Sequence, residues 1–154
     1  MRIEYLKDHT HVIRELAELH LEYFGLFNPK MTVESRMDQL HARLGTDSIP
    51  LTVVALEKEK VIGSACLVHN DMKTHPELAP WVASVFVRTE YRRRGVGTVL
   101  MNRLDAEAYC LGVHKLYLFT PDMQVFYSGL GWRSMGTEMY RGNEVTIMEK
   151  VIDE

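Results

Sequence analysis

WVASVFVRTEYRRRGVGT, Trp81 to Thr98, is the stretch on which the fold turns. Its first seven residues are apolar on both alternating sets: Trp81, Ala83, Val85 and Val87 on one, Val82, Ser84 and Phe86 on the other. Such a run predicts a central strand covered on both faces. A short connection follows, and Gly95-Val96-Gly97 opens an apolar-periodic segment over 97–110. There Val96, Val99, Leu100, Leu104, Ala108 and Leu111 form one stripe, and Gly112 ends it. A strand that runs through a glycine-containing loop into a helix is a natural anion site. The first helical turn leaves N–H groups without partners, the helix dipole favours negative charge, and Arg92, Arg93 and Arg94 add charged donors. The same residues also suit a tight strand-to-helix turn with the arginines in solvent. The spacing matches neither GxxxxGK[ST] nor GxGxxG.

Outward from this stretch the period of the chain alternates. Residues 11–24 carry overlapping i, i+3/i+4 stripes and predict a helix stopped by Gly25 and Asn28-Pro29. A second helix is predicted over 32–44, with Thr32 as N-cap and Gly45 as C-cap. Residues 50–56 and 61–68 read as strands joined at Glu57-Lys58-Glu59-Lys60, with Gly63 marking a bulge or a close backbone approach. After the central helix come a strand over 116–119 and a helix over 121–128, with Thr120 as N-cap and Pro121 in its first position. Strands over 133–140 and 145–152 close the chain around Arg141-Gly142-Asn143. The expected class is α/β: a single domain over 1–154, with a mixed, mostly antiparallel sheet flanked by helices.

Composition narrows the function. The chain has 154 residues, 46% hydrophobic and 25% charged, which fits one globular domain and rules out a disordered or collagen-like chain. No run approaches the roughly eighteen apolar residues of a membrane helix, and the charged N-terminus has no signal-like apolar core. Cys66 and Cys110 show no CxxC spacing. The expectation is a cytoplasmic protein with no disulfide framework and no membrane partner. A net charge of −3 disfavours a globally basic nucleic-acid binder, and the arginine triplet stands alone as a basic feature. His9, His11 and His20 form no HExxH-type pair and read as structural or surface residues, so no metal is expected. Neither a GxSxG serine nor a cysteine with a neighbouring base is present.

Arg92, Gly95 and Gly97 fill [RQ]-x-x-G-x-[GA] after a hydrophobic strand, and Phe126-Tyr127-Ser128-Gly129-Leu130-Gly131-Trp132 fills a late FYxxxG[FW] segment. The two together, in this element order, resemble motif A and the tyrosine segment of the GNAT family of N-acetyltransferases. The likeness spans nearly the whole chain. It implies acetyl-CoA as co-substrate and direct transfer of acetyl to a primary amine. It implies that Val85, Phe86 and Val87 offer main-chain groups to the pantetheine arm. It implies that Arg92, Arg93, Arg94, Gly95, Val96, Gly97 and Thr98 wrap the pyrophosphate, and that Tyr127 donates a proton to the leaving thiolate. Without that resemblance Tyr127 reads first as a core aromatic beside Phe126 and Trp132. Many relatives carry Asn seven residues before the tyrosine; here Thr120 stands there as the cofactor contact.

A base for the attacking amine is expected. Protein-acetylating relatives carry a glutamate on the strand before motif A, and Trp81 to Val87 has none. The nearest ionisable groups are His69, Asp71, His75 and Glu77. Asp71 is the first candidate to bind or deprotonate the substrate ammonium and His75 the second; the alternative is a solvated loop. The segment from Asn70-Asp71 to motif A resembles a bacterial small-molecule subgroup, so a small-molecule amine is the expected partner. A protein lysine or N-terminal acetyltransferase and a non-catalytic acyl-CoA sensor are the rivals. Apolar strands near the C-terminus offer a surface for a homodimer.

Overall fold

The computed structural model describes residues 1–152. Seven strands form one sheet: β1 (Arg2–Tyr5), β2 (Leu51–Glu57), β3 (Lys60–Val68), β4 (Trp81–Val87), β5 (Lys115–Thr120), β6 (Arg133–Tyr140) and β7 (Asn143–Val151), in the order β1-β2-β3-β4-β5-β7-β6. Every neighbouring pair is antiparallel except β4 and β5. Among the described residues four α-helices flank it: α1 (Ile13–Phe24), α2 (Val33–His41), α3 (Val96–Cys110) and α4 (Gln124–Ser128).

Period-2 alternation splits β2 between two cores. Leu51, Val53 and Ala55 join the core under α3, while Val54 and Leu56 join Leu6, Leu16 and Leu40 under α1 and α2. The sheet is therefore covered on both faces, which is why β2, β3 and β4 carry near-continuous apolar runs. A third cluster around Trp81, Tyr140 and Ile147 closes the end of the sheet where the β3–β4 connection crosses it.

Most boundaries follow the sequence. β4 spans 81–87, and α3 starts one residue earlier than expected. The β2–β3 turn is the two-residue Lys58-Glu59, with Lys58 at φ 56. A Cβ on Gly63 would stand 2.8 Å from the carbonyl oxygen of Phe86, so the close approach expected there is present.

Three readings are corrected. β1 was not expected: with Arg2 and Glu4 in a four-residue strand, only Ile3 and Tyr5 pack inward, too few to show a period. The second helix ends at His41 and is capped by Ala42, whereas Gly45 instead bridges to Leu51; Thr32 is its N-cap, in a reciprocal capping box with Ser35. α4 begins at Gln124, not at Pro121, and its N-cap is Met123. Thr120 is the last residue of β5, paired with Thr146, and its Oγ1 accepts the N–H of Met123 at 3.0 Å, so it closes the turn that precedes the helix.

Candidate active site

The site begins where β4 and β5 stop running together. They are registered at Trp81 and Tyr117, and the Tyr117 N–H donates to the Pro80 carbonyl at 3.1 Å. Beyond that point β4 bends. Ser64 pairs with Phe86 and Cys66 with Ala83, leaving Ser84 and Val85 outside the β3 ladder as a bulge, with Ser84 at φ 54. The strands splay, and a cavity of about 890 Å³ fills the gap.

At the C-terminal end of β4 the cavity reaches the loop 92–98. Gly95 caps α3 in the left-handed region at φ 81, a conformation that suits glycine, and space around its α-carbon is open. The first intrahelical bond runs from the Val99 N–H to the Gly95 carbonyl, so the N–H groups of Val96, Gly97 and Thr98 precede the helix ladder. All three residues line the cavity, as do Arg92 and Arg93. A Cβ on Gly97 would lie 3.2 Å from Phe126 Cζ, so a side chain there presses into the wall. The arginines have different roles. Arg92 Nε donates to the Val87 carbonyl at 3.2 Å and its guanidinium lies 5.3 Å from the Tyr23 ring centroid, which braces the loop. Arg94 turns away from the cavity, over the Tyr91 ring at 5.3 Å, in a separate surface hollow with Glu15 and Lys60.

Val85, Phe86, Val87, Thr120 and Tyr127 line the middle of the cavity. Tyr127 belongs to both of its expected settings: its ring packs on Phe126 at 5.1 Å and Trp132 at 6.2 Å, and it faces the cavity. Burial, and then the charge of Asp122, pushes its phenol well above the ordinary value near 10, so it is a neutral O–H at any physiological pH.

The opposite end is built from α2, the β3–β4 connection and the β6–β7 turn. Asp71 lines it with Arg36, Arg43, Ser84 and Arg141. Burial pushes the Asp71 carboxyl up to about 6, against the opposing pull of Arg43, Arg36 and Arg141. Arg36 and Arg43 donate to the same Ser84 hydroxyl oxygen, at 3.1 and 3.2 Å. Behind them Ser64 donates to the Ser84 carbonyl at 2.9 Å, and His20 Nε2 meets Ser64 Oγ at 2.8 Å. The bulge is thus tied down on both sides.

The other ionisable groups of the β3–β4 connection go elsewhere. His75 lies against Glu138 at 2.6 Å and Glu77 at 3.2 Å on the surface, and His69 meets the Ile49 carbonyl at 3.0 Å. Neither lines the cavity. Arg36, Arg43, Ser84 and Arg141 were missed from the sequence. A signal existed for one of them: Arg36 and Leu40 follow i, i+4, which puts an arginine on the buried side of α2, with Arg43 just past its end.

The fold has known counterparts. The crystal structure of an aminoglycoside 6'-N-acetyltransferase complexed with coenzyme A superposes with a TM-score of 0.78 over 100% of this chain and 98% of that one, at 16% identity. A ribosomal-protein-alanine N-acetyltransferase from Brucella melitensis gives 0.73 over 98% of this chain and 99% of that one, at 18% identity. At such identities the likeness is one of fold. Mouse N-alpha-acetyltransferase 80 is 33% identical over 105 residues, 64% of this chain and 33% of that protein, so the chain spans about a third of that relative's length. Residues 13–132, from the start of α1 through the Tyr127 segment, match the acetyltransferase (GNAT) family, and the chain belongs to it.

Proposed function

We propose that this chain is a cytoplasmic acetyl-CoA-dependent N-acetyltransferase that moves acetyl directly onto the primary amine of a small molecule. One observation carries the reading: a single cavity joins the anion-binding start of α3, the free edge of the β4 bulge, Tyr127 and Asp71. The residues present fit acetyl-CoA. Val96, Gly97 and Thr98 offer N–H groups and Arg93 a charge to phosphates. The β4 edge from Ser84 to Val87 covers about 10 Å of extended backbone that can pair with a pantetheine amide. The bound co-substrate supplies a thioester carbonyl as the electrophile.

The chain's own groups then have separate tasks. Asp71, as carboxylate, takes a proton from the acceptor ammonium and holds the amine in the cavity. The Val85 N–H, on the bulge outside the β3 ladder, stabilises negative charge on the carbonyl oxygen. Tyr127 faces the departing sulfur. A thiol has an ordinary pKa near 8.5 and a phenol near 10, and burial shifts Tyr127 further up. Full proton transfer from the phenol to the thiolate is therefore uphill, so Tyr127 acts as a hydrogen-bond donor while sulfur charge develops, and the proton that the nitrogen sheds as the amide forms neutralises the departing thiolate. The cytoplasmic placement is supported by two free cysteines, Cys66 and Cys110.

A calorimetric titration with acetyl-CoA followed by a thiol-release screen of amines tests the proposal. Saturable binding with amine-dependent release is expected, and absence of binding at high micromolar co-substrate overturns it. A second reading, transfer to a polypeptide N-terminus, is favoured by the 33% identity to the mouse N-alpha-acetyltransferase. It predicts turnover of peptides and none of free amines.

A further inference from the structure

The acceptor end of the cavity holds three guanidiniums and one carboxylate. Arg36, Arg43 and Arg141 all act on Asp71 through their charge, and Arg36 is itself opposed by Arg43 and Arg141. Burial lowers Arg36 only to about 10, so it stays charged at neutral pH. Setting one anion against three cations leaves two positive charges unmatched in a partly enclosed space. Like charges gathered in a partly enclosed space repel one another, and an anion brought among them offsets that repulsion.

The donors are unmatched as well. A guanidinium carries five N–H groups. Arg36 and Arg43 each spend one on Ser84 Oγ, and a second of Arg36 reaches only the weak acceptor Met31 Sδ at 3.7 Å. Arg36 is 6% exposed, and its Nε is buried with no hydrogen-bond partner. A buried charged donor without a partner is costly in free energy, and a ligand carboxylate would satisfy it. The forks are also held in place: Arg36 by its position in α2, Arg43 by the turn from its N–H to the Leu40 carbonyl, and both by the shared serine. Arg141 stacks on Tyr140 at 4.9 Å across the mouth. On the acetyltransferase reading the phosphates of the co-substrate lie at the far end of β4, by the start of α3, and leave this cluster without a partner.

The geometry points to an acceptor that carries a carboxylate beside its primary amine: Arg36, Arg43 and Arg141 receive the carboxylate while Asp71 receives the amine. The inference rests on the acetyltransferase reading and specifies its substrate class. It excludes polycationic amines, which would meet the three arginines with like charge. A free amino acid-like molecule and a polypeptide beginning with acidic residues share this chemistry.

The test uses the full chain with acetyl-CoA and matched acceptors: aspartate and glutamate, their diamides, the peptides Asp-Asp-Ala and Lys-Lys-Ala as amides, and kanamycin as a polycation. The carboxylate members should show kcat/KM at least ~10-fold above their amides. The solvent-accessible Arg141→Gln should raise KM for the carboxylates ~10-fold, and in both Arg43→Gln and Arg141→Gln the ratio of carboxylate to amide kcat/KM should fall ~10-fold, whatever Arg43→Gln does to turnover through the bulge and Asp71. Preference for free amino acids over Asp-Asp-Ala assigns the small-molecule source, and the reverse assigns the polypeptide source. Equal use of the amides, preference for kanamycin, turnover of none of these acceptors, or variants that affect both members of a pair alike would overturn the inference. Calorimetric titration of the same carboxylates into protein saturated with CoA gives a readout apart from turnover; no heat from any of them also overturns it. Failure of acetyl-CoA itself to bind would overturn the acetyltransferase reading, and the carboxylate titration would then decide the arginine site alone.

Discussion

Trp81 stands opposite Tyr117 at the single registered position between β4 and β5, with the two rings 5.8 Å apart. The cavity owes its shape to that pair. On one side of it the strands are joined; on the other they diverge around the Ser84-Val85 bulge. Trp81 is fully buried, packs on Phe119 as well, and donates its indole N–H to the Leu78 carbonyl at 2.6 Å. Trp81→Ala should therefore lower unfolding free energy by about 3–5 kcal/mol, as loss of a buried large aromatic does. Urea denaturation measures it. A change below about 1 kcal/mol would show that the junction is held elsewhere.

On the proposed reading, the start of α3 receives phosphates only while its backbone is bare. Gly97→Asp places a carboxylate among the free N–H groups, and its Cβ meets the end of the Phe126 ring, a side chain that can shift. The variant should fold with a melting temperature within a few degrees of wild type and lose acetyl-CoA binding by ~100-fold or more, since a like charge replaces an attraction. Circular dichroism with calorimetry separates the two effects. Retained affinity would move the phosphates off this helix.

Tyr127 serves two masters, the aromatic core and the cavity. Tyr127→Phe keeps the ring against Phe126 and Trp132 and removes only the hydroxyl. The expected result is a kcat lower by ~10²-fold with acetyl-CoA affinity within about two-fold. Because burial raises the phenol above its ordinary range, the wild-type rate should not fall between pH 8 and 10 on account of this residue. An unchanged kcat would return Tyr127 to the core alone.

The sequence made some of this legible and hid the rest for physical reasons. Trp81 to Cys110 was readable nearly to the residue because a two-faced apolar run, a glycine loop and a helical stripe follow one another without ambiguity. The glycine loop at the start of α3, which lines the cavity, was readable with it. β1 was hidden because an edge strand with Arg2 and Glu4 needs only two inward residues. The start of α4 was misread because a threonine–proline pair imitates a helix cap, while Thr120 in fact completes β5 and caps the turn. The arginines of the acceptor end were hidden because arginine is ordinarily a solvent residue. What buries Arg36 is Ser84, 48 positions away on a bulge that no local pattern announces.

Asp71 supplies a pH signature. Burial pushes its carboxyl up to about 6, and as the proposed base it must be ionised to accept a proton, so kcat/KM should rise as pH increases through about 6. A second rise, belonging to the acceptor amine, follows at higher pH. Asp71→Asn should abolish the lower limb and reduce kcat/KM by ~10²-fold at pH 7, leaving the upper limb in place. A variant profile that keeps the lower limb would assign it to another group.

His20 links stability to pH with the opposite logic. Ser64 gives its only hydroxyl proton to the Ser84 carbonyl, so it must accept from His20 Nε2–H, and Nδ1 is then the unprotonated nitrogen. Nδ1 is buried without a partner. Burial, then Arg36 and Arg43, hold the imidazole well below its ordinary value near 6.5, so it is neutral in the folded chain. The unfolded chain takes up a proton below pH 6.5 that the folded chain refuses. Stability from this group is therefore full above pH 6.5 and declines as pH falls, with a slope approaching ~1.4 kcal/mol per pH unit for one proton. His20→Gln keeps an N–H donor toward Ser64 and removes the titration. Urea unfolding at pH 7, 6 and 5 should show the wild type losing stability faster than His20→Gln over that range. Parallel declines would mean that the imidazole is protonated in the folded state, and the tautomer assigned by Ser64 would be wrong.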